Sequence, residues 1–237
     1  MKNNLIGIDP SLISTGLVVN GKVFNYCRKS DAVMKSDKYS KWFDLCKDNI
    51  SYRYIDNDSS SVKEYSDAEL YKLKLYNHNT DMIVSDILDN IVTGIDTHVA
   101  IEGYSYSSSA GDIIDLVTFS TLLRHKIRTR VTESITVLSP TTLKLETCKL
   151  TYEPVNVGKK KVILEYRNRD GLAGGSFTKN DMYKAIVENA QLDDPYCNFL
   201  RSIEGDIAGN KTIKKPLEDC NDAYLLYLYL KKQKENY

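Results

Sequence analysis

The sequence predicts an α/β protein in which helices pack on a mixed β-sheet. Short apolar segments that favour strands alternate with longer segments of helical periodicity, and this order is typical of a sheet covered by helices. Near the start of the chain, Asn20-Gly21 separates two apolar runs, which is the strongest short-range signal for a β-hairpin. A chain of 237 residues can form a substantial core, and we predict a single domain over residues 1–237.

The predicted elements follow from apolar spacing, because every second residue of a strand and every third or fourth residue of a helix share a face. The predicted strands are residues 5–9, 16–19, 22–26, 97–102 and 135–138. The predicted helices are residues 67–92 (as one helix or two), 113–123, a short helix from 141, 159–166, 180–189 and 217–232. Residues 29–66, with a short helix or strand around Trp42, and residues 168–216 are interpreted as insertions.

The composition narrows the class of protein. The 32 Lys and Arg residues equal the 32 Asp and Glu residues, which argues against a generally basic nucleic-acid coat but leaves local basic patches open. The five cysteines are far apart and form no C-x-x-C pair, so neither a zinc module nor a disulfide framework is expected. No apolar window approaches the length of a membrane span, and we predict a cytoplasmic protein, in the host cytoplasm if it is viral.

Four acidic residues occur where a folded sheet would bring them to its interior. Asp9 ends the first apolar strand, Glu102 ends a later one, and Asp219 and Asp222 share one face at the start of the last helix. A buried carboxylate is unfavourable unless it is paired or bound to a metal. Mg²⁺ prefers such oxygen ligands, and two ions about 4 Å apart can support phosphodiester cleavage. The sequence therefore predicts a carboxylate metal site.

Each of these acids also has a purely structural explanation. Asp9 could begin a turn, and Glu102 could simply finish its strand. Asp219 and Asp222 lie in the first turns of a helix, where acidic side chains favour the helix dipole, and the adjacent Glu218 could replace either as a ligand.

The order of these motifs resembles the RuvC family of Holliday-junction resolvases, within the RNase H-like superfamily. Ile6-Gly7-Ile8-Asp9-Pro10-Ser11 with Thr15-Gly16 is similar to the family's opening motif. Ala100-Ile101-Glu102 resembles its second acid, and Asp219-Cys220-Asn221-Asp222-Ala223 resembles its closing D-x-x-D-A helix. Ser139-Pro140-Thr141-Thr142-Leu143-Lys144 resembles the segment that carries a substrate-facing lysine. The fragments follow the family's order over nearly the whole chain.

The resemblance implies a mixed five-stranded sheet flanked by helices, a homodimer, and Mg²⁺- or Mn²⁺-dependent hydrolysis of symmetric strands at four-way DNA junctions. Asp9, Glu102, Asp219 and Asp222 would then be catalytic ligands for two ions per active site. Lys144 would approach the scissile phosphate. The long insertions leave selectivity for four-way junctions over other branched DNA open.

The resemblance also implies DNA contacts away from the acids. One of Lys159, Lys160 and Lys161 would match a second basic element. Among family members an aromatic residue often follows the glutamate by three positions, whereas this chain has Ser105 there, so either of its neighbours, Tyr104 or Tyr106, could stack on an unpaired base.

Two further features are less specific. The family's usual glycine after Asp-Pro is Ser11 in this chain. A basic cluster follows the predicted helix 113–123 and could be either a solvated helix end or a DNA contact. It comprises Arg124, Lys126, Arg128 and Arg130.

Two other functions compete with the nuclease. Ile-Gly-Ile-Asp followed by Gly also opens the actin-like superfamily of small-molecule kinases, with Gly171 and Gly174-Gly175 as a conceivable nucleotide loop. That fold needs two related halves, and this chain has one convincing opening hairpin. The other alternative is an inactive relative that binds branched DNA, for which there is no electrostatic reason to retain four acids.

Overall fold

The computed structural model describes residues 3–28, 37–55, 61–104, 110–158, 161–208 and 213–235. Its strands are β1 (Asn3–Asp9), β2 (Ser14–Val19), β3 (Lys22–Arg28), β4 (Ser51–Ile55), β5 (Asp96–Glu102), β6 (Ile135–Leu138), β7 (Pro154–Asn156) and β8 (Leu164–Tyr166). Its helices are α1 (Asp37–Cys46), α2 (Tyr65–Asn90), α3 (Ala110–Arg130), α4 (Pro140–Thr151), α5 (Lys179–Glu188), α6 (Pro195–Ser202), α7 (Glu204–Ala208) and α8 (Leu217–Glu235), with a 3-10 turn at Gly174–Ser176.

Six strands form one mixed sheet in the order β4-β3-β2-β1-β5-β6. Strands β1, β2 and β3 form an antiparallel meander, β5 lies parallel to β1, and β6 lies parallel to β5. The predicted α/β class is therefore confirmed, but the sheet has six strands rather than the expected five. The additional strand β4 pairs in parallel with β3 at the edge of the sheet.

The hairpin between β2 and β3 forms at the predicted Asn20-Gly21 turn. Asn20 has φ 51° and Gly21 has φ 86°, the left-handed conformation that a tight two-residue hairpin turn requires. The Asn20 side chain also ties the turn to its surroundings. Its Oδ1 accepts a hydrogen bond from Leu5 N at 3.0 Å, and its Nδ2 donates to Asn4 Oδ1 at 3.0 Å and to Asn90 O at 3.1 Å.

The sheet buries a hydrophobic cluster on each face because its strands are apolar on both sides. Ile6, Ile8 and Val99 pack towards α2 and α3. Val18 and Ala100 pack on the opposite face in a cluster with residues of α1, α4, α5, α6 and α8. Within the described residues, no helix combines the length and apolar character needed to cross a membrane.

The predicted helices are confirmed in most places, and the differences lie in the poorly periodic segments. Of the predicted helix 67–92, residues 67–90 lie within the single helix α2, which ends two residues earlier than predicted, and 217–232 lie within α8. The predicted helix 159–166 is wrong, since Leu164–Tyr166 is strand β8 of a separate two-stranded hairpin with β7. Residues 29–66 contain both α1, with Trp42 buried, and β4, so this segment contributes to the core. The basic cluster 124–130 lies inside α3 rather than after a helix.

Helix α8 lies directly on the central strands at two glycines. A Cβ atom added to Gly7 would lie 2.6 Å from Tyr227 N and closer still to Ala223 O. A Cβ atom added to Gly16 would lie 2.6 Å from the carbonyl carbon of Asp219. These distances are shorter than van der Waals contact, so only glycine permits this helix-to-sheet spacing.

We expect Gly7→Ala to destabilise the protein by about 2–4 kcal/mol, because the added methyl group would push α8 off β1. Urea unfolding followed by circular dichroism measures the change. Gly205→Ala is the matched control, since Gly205 lies in helix α7 with no atom within 4 Å of the added Cβ. Equal stability of the two variants would contradict the close approach of α8.

Candidate functional site

Two of the predicted acids meet at one edge of the sheet. Strands β1 and β5 run in parallel with Ile8 paired to Ile101, so the next residues, Asp9 and Glu102, come to the same carboxyl edge. Asp9 also pairs with Gly16 of β2. Since side chains alternate along a strand, Asp9 lies on the same face of β1 as Gly7, the face that α8 covers.

The other two acids reach this edge from helix α8. Asp219 and Asp222 lie in its first turns, three residues apart and therefore on one helix face. The close contact at Gly7 and Gly16 sets the distance of this face from the strands. Asp219 and Asp222 are buried, with 4% and 2% exposure.

Three of the four acids converge on one point. One carboxylate oxygen each from Asp9, Glu102 and Asp222 lies within 4.8 Å of the others. Asp9 and Asp222 are buried, and Glu102 is half-buried. These three carboxylates could hold a metal ion. Asp219 lies outside this set of three.

The crowding of negative charge raises the proton affinity of the site. Burial raises the pKa of Asp9 well above its ordinary value, and the neighbouring charges of Glu102 and Asp222 raise it further. Burial is also the main reason that the pKa of Asp222 rises to about 7, an effect that the nearby Lys179 ammonium opposes. The carboxylates are therefore costly to ionise without additional positive charge.

Two lysines supply part of that charge. Lys179 Nζ forms an ion pair with Asp222, and Lys215 Nζ lies 2.9 Å and 3.3 Å from the two carboxylate oxygens of Asp219. Burial alone would lower the pKa of both lysines, yet the pKa of each is raised, because the nearby acids, Asp222 for Lys179 and Asp219 for Lys215, favour the charged form. Both lysines are therefore ammonium ions.

Local structure fixes the position of Lys179. It is the first residue of α5, and the preceding Thr178 caps that helix. Thr178 Oγ1 accepts a hydrogen bond from Asp181 N at 3.3 Å, while Asp181 Oδ2 accepts one from Thr178 N at 2.8 Å. The start of α5 is therefore well defined, and Lys179 extends from it towards α8.

The donor set suits a hard divalent cation. Every side chain in the set of three donates carboxylate oxygen, which is the ligand type that Mg²⁺ and Mn²⁺ favour. The two ammonium groups can offset only two of the four carboxylates. The remaining negative charge is what one divalent cation would neutralise, so the residues present fit such an ion.

Sequence reasoning missed both lysines. Lys215 precedes Asp219 by four residues, a spacing at which an ion pair could have been suspected. Lys179 is 43 residues from Asp222, and no sequence signal links them. The sequence predicts Lys144 at the site instead. It lies half-buried on α4 and forms no ion pair with the acids in the part of the chain that the structure describes.

The predicted DNA contacts have different outcomes. Tyr104 follows Glu102, and its ring is covered by the Arg124 guanidinium at 4.5 Å, so one ring face is already used. Lys161 is exposed next to strand β8. Tyr106, Lys159 and Lys160 lie outside the described residues.

Part of the basic cluster on α3 has a structural role. Lys126 Nζ lies 2.8 Å from Asp81 of α2, and Arg130 lies 2.6 Å from the same carboxylate. These two side chains join α3 to α2. For Lys126 and Arg130, the ion pairs therefore favour a structural role over a DNA contact.

A comparison of the chain with protein-family models finds no match, and a comparison with curated proteins finds no significantly similar sequence.

Asp9→Asn should stabilise the metal-free protein at pH 8 by on the order of 1 kcal/mol, the usual size of the effect of one substitution, because it removes a buried negative charge that lies beside other carboxylates. The reason is that the folded protein holds the Asp9 proton more tightly than the unfolded chain does. Stability from this group is therefore complete below the unfolded pKa and is lost as the pH rises through the folded pKa. Urea unfolding in EDTA at pH 5 and pH 8 measures the difference, which should be smaller at pH 5.

The control for this charge removal is Asp48→Asn, since Asp48 is exposed in the turn before β4. We expect a change within about 0.5 kcal/mol for this variant. Mg²⁺ should stabilise the unmodified protein and Asp48→Asn more than Asp9→Asn. A destabilised Asp9→Asn in EDTA at pH 8 would show that Asp9 is not under repulsion.

Lys215→Met should raise the affinity for Mn²⁺ by roughly three- to tenfold, because loss of the ion pair frees Asp219 and removes about 1 kcal/mol of competition. Isothermal titration calorimetry measures the affinity. Lys41→Met is the control, since Lys41 pairs with Asp206 at 3.1 Å on the surface. An unchanged or weaker affinity in Lys215→Met would mean that Lys215 does not compete with the cation.

Proposed function

We propose that the protein is a divalent-metal-dependent endonuclease that cleaves branched DNA, with the four-way junction as its preferred substrate. The observation that carries this proposal is the convergence of Asp9, Glu102 and Asp222, from two adjacent strands and the last described helix, on one buried point. Phosphodiester hydrolysis is the chemistry for which such a carboxylate set around divalent cations is best suited.

The architecture supports the same proposal. Five of the six strands, β3-β2-β1-β5-β6, form a mixed sheet with helices on both faces, as the resemblance to the RuvC family implies. We therefore propose an RNase H-like fold extended by strand β4. The acids lie on the elements where the family's motifs expect them: Asp9 on β1, Glu102 on β5 and Asp222 on α8.

The acidic side chains and Lys179 would have different roles at the site. Asp9, Glu102 and Asp222 would hold one Mg²⁺ or Mn²⁺ ion. The proposal includes a second ion with Asp219 as a further ligand, and the negative charge of the bound phosphate would balance this second ion. Bound ions would polarise the phosphate and make a water molecule more nucleophilic. Lys179 is already held as an ammonium ion beside Asp222, where it can stabilise negative charge that develops on the phosphate.

The proposal also includes a homodimer. A four-way junction has two equivalent strands, so symmetric cleavage needs two active sites related by a two-fold axis, as two copies of this chain would provide. The chain itself has balanced charge. We therefore propose that DNA affinity depends on locally placed lysines and falls with increasing salt.

No observation on the described residues favours the small-molecule kinase over the nuclease. Gly174 is buried against Cys148 of α4, where an added Cβ atom would lie 2.6 Å from the Cys148 Cβ. This packing explains the glycine without a nucleotide. An inactive DNA-binding relative would give no reason for the unfavourable burial of Asp9.

We expect the purified protein to nick a labelled four-way junction in Mg²⁺ or Mn²⁺ but not in EDTA. Asp9→Asn should lower the cleavage rate by about 100-fold or more, a range typical of removing one group that stabilises the transition state. Denaturing gels of four-way, Y-shaped, flap and linear DNA measure rate and position of cleavage. Cleavage should be symmetric and restricted to the four-way junction.

Asp48→Asn serves as the matched control, because it removes the same charge from an exposed turn and should cleave at the normal rate. Equal cleavage by Asp9→Asn would refute the assignment of the site. Cleavage of all branched substrates would indicate a less selective debranching nuclease. ATP turnover without DNA cleavage would favour the kinase.

A further inference from the structure

Strands β7 and β8 form a small hairpin that is separate from the main sheet. Their ladder pairs Pro154 with Tyr166 and Asn156 with Leu164, and it continues where Val157 N donates to Ile163 O at 2.8 Å. Asn156 Oδ1 accepts hydrogen bonds from Gly158 N and Ile163 N, both at 3.0 Å. The strands therefore remain paired up to the connecting segment 158–162.

The base of the hairpin is anchored to the helices. The Tyr152 hydroxyl, just before β7, donates to Glu188 at 2.8 Å, and its ring packs edge-on against Phe177 at 6.4 Å. After Leu164 of β8, the Tyr166 ring lies beneath the Lys149 ammonium at 5.7 Å. The hairpin is thus fixed at one end and solvent-exposed at the other.

The exposed end is unusually apolar. Five aliphatic side chains of this hairpin are between 41% and 73% exposed: Val155, Val157, Val162, Ile163 and Leu164. Concentrated exposure of this kind marks a surface that binds a partner, because leaving aliphatic groups in water is unfavourable. Isolated two-stranded hairpins are also marginally stable in water, so an exposed pair without a covering layer is best explained by an occupant.

The exposed side chains lie on both faces of the ribbon. Directly paired residues share a face and successive residues of a strand point to opposite faces, so Val157 and Ile163 point to one side and Leu164 to the other. Docking on a flat protein surface would cover one side only. Insertion into a groove or between separated strands covers both.

The charge of the hairpin favours a nucleic acid as the occupant. Lys161 is exposed at the connecting segment. The one acid of β8, Glu165, is neutralised by Arg167, whose Nε and Nη2 lie 2.9 Å and 2.6 Å from the same carboxylate oxygen. Aliphatic side chains that separate stacked bases, next to lysines that contact phosphates, are the combination used by proteins that open DNA.

We propose that the β7–β8 hairpin is a wedge that inserts Val162, Ile163 and Leu164 at the branch point of the DNA while Lys161 contacts the phosphate backbone. This inference rests on the proposed function, since it names how the same substrate is held. A branch point is the favourable place for insertion, because its bases are the least completely stacked and opening them requires the least energy.

The test uses the double variant V162S/L164S, whose positions are exposed enough to leave folding intact. The probe is a four-way junction with 2-aminopurine at the branch point, bound in EDTA, beside a linear duplex of the same sequence. The unmodified protein should raise the fluorescence of the junction. The double variant should lose most of this rise and bind the junction about tenfold more weakly, a difference of 1.4 kcal/mol, with duplex binding unchanged.

Val92→Ser is the matched control, since Val92 is 51% exposed and lies beside Asn4, at the opposite end of strand β1 from Asp9. It should open the branch point normally. If the unmodified protein binds and cleaves junctions but V162S/L164S opens them equally well, the wedge is refuted and the nuclease stands. If the unmodified protein neither binds nor cleaves the junction, both proposals fail.

Two further measurements exclude other occupants. A double variant that opens the branch point normally but changes from dimer to monomer by light scattering would assign the hairpin to a second copy of the chain. One that opens it normally but no longer binds vesicles of anionic lipid would assign the hairpin to a membrane surface. Either result overturns the wedge.

Discussion

The contact between helix α8 and the glycines of β1 and β2 determines the rest of the site. With no side chain at Gly7 or Gly16, the helix backbone reaches van der Waals contact with the strands. A helix held several ångströms further away, as over ordinary side chains, would separate Asp222 from Asp9 and Glu102. The same close packing excludes water, so the acids interact through protein rather than through solvent, and their mutual repulsion is strong.

The site resolves this repulsion only in part. Asp222 and Asp219 each have a lysine partner, whereas Asp9 is the acid on which burial and repulsion combine. A site that concentrates like charges forms only when the remainder of the fold is stable enough to hold the charged groups together. Here that remainder is the two-faced core and the anchored start of α5, which carries Lys179. The stability of the fold and the capacity of the carboxylates to bind a cation therefore depend on the same few side chains.

Regular patterns were predictable from the sequence, and contacts between distant segments were not. The Asn20-Gly21 turn, the central strands and the long helices follow from local chemistry and apolar period. Strand β4 is short, and its Arg53 is balanced by Asp86 of α2, a partner that the local sequence does not reveal. The sequence of residues 159–166 does not distinguish a helix from a strand, because its apolar run suits either a helix or an exposed strand. The acids were identified through their motifs, but Lys179 reaches the site only through tertiary packing.

The order of the elements along the chain has a consequence for synthesis. Asp9 is made with the first strand and Asp222 with α8, the last helix that the structure describes, and these two residues are direct neighbours in the fold. During translation, strands β1, β2 and β3 can form their antiparallel meander early, but α8 can cover β1 only after residues 217–235 have left the ribosome. The carboxylate set is therefore assembled last. A nascent or truncated chain that lacks α8 therefore lacks both Asp219 and Asp222, and so two of the four acids.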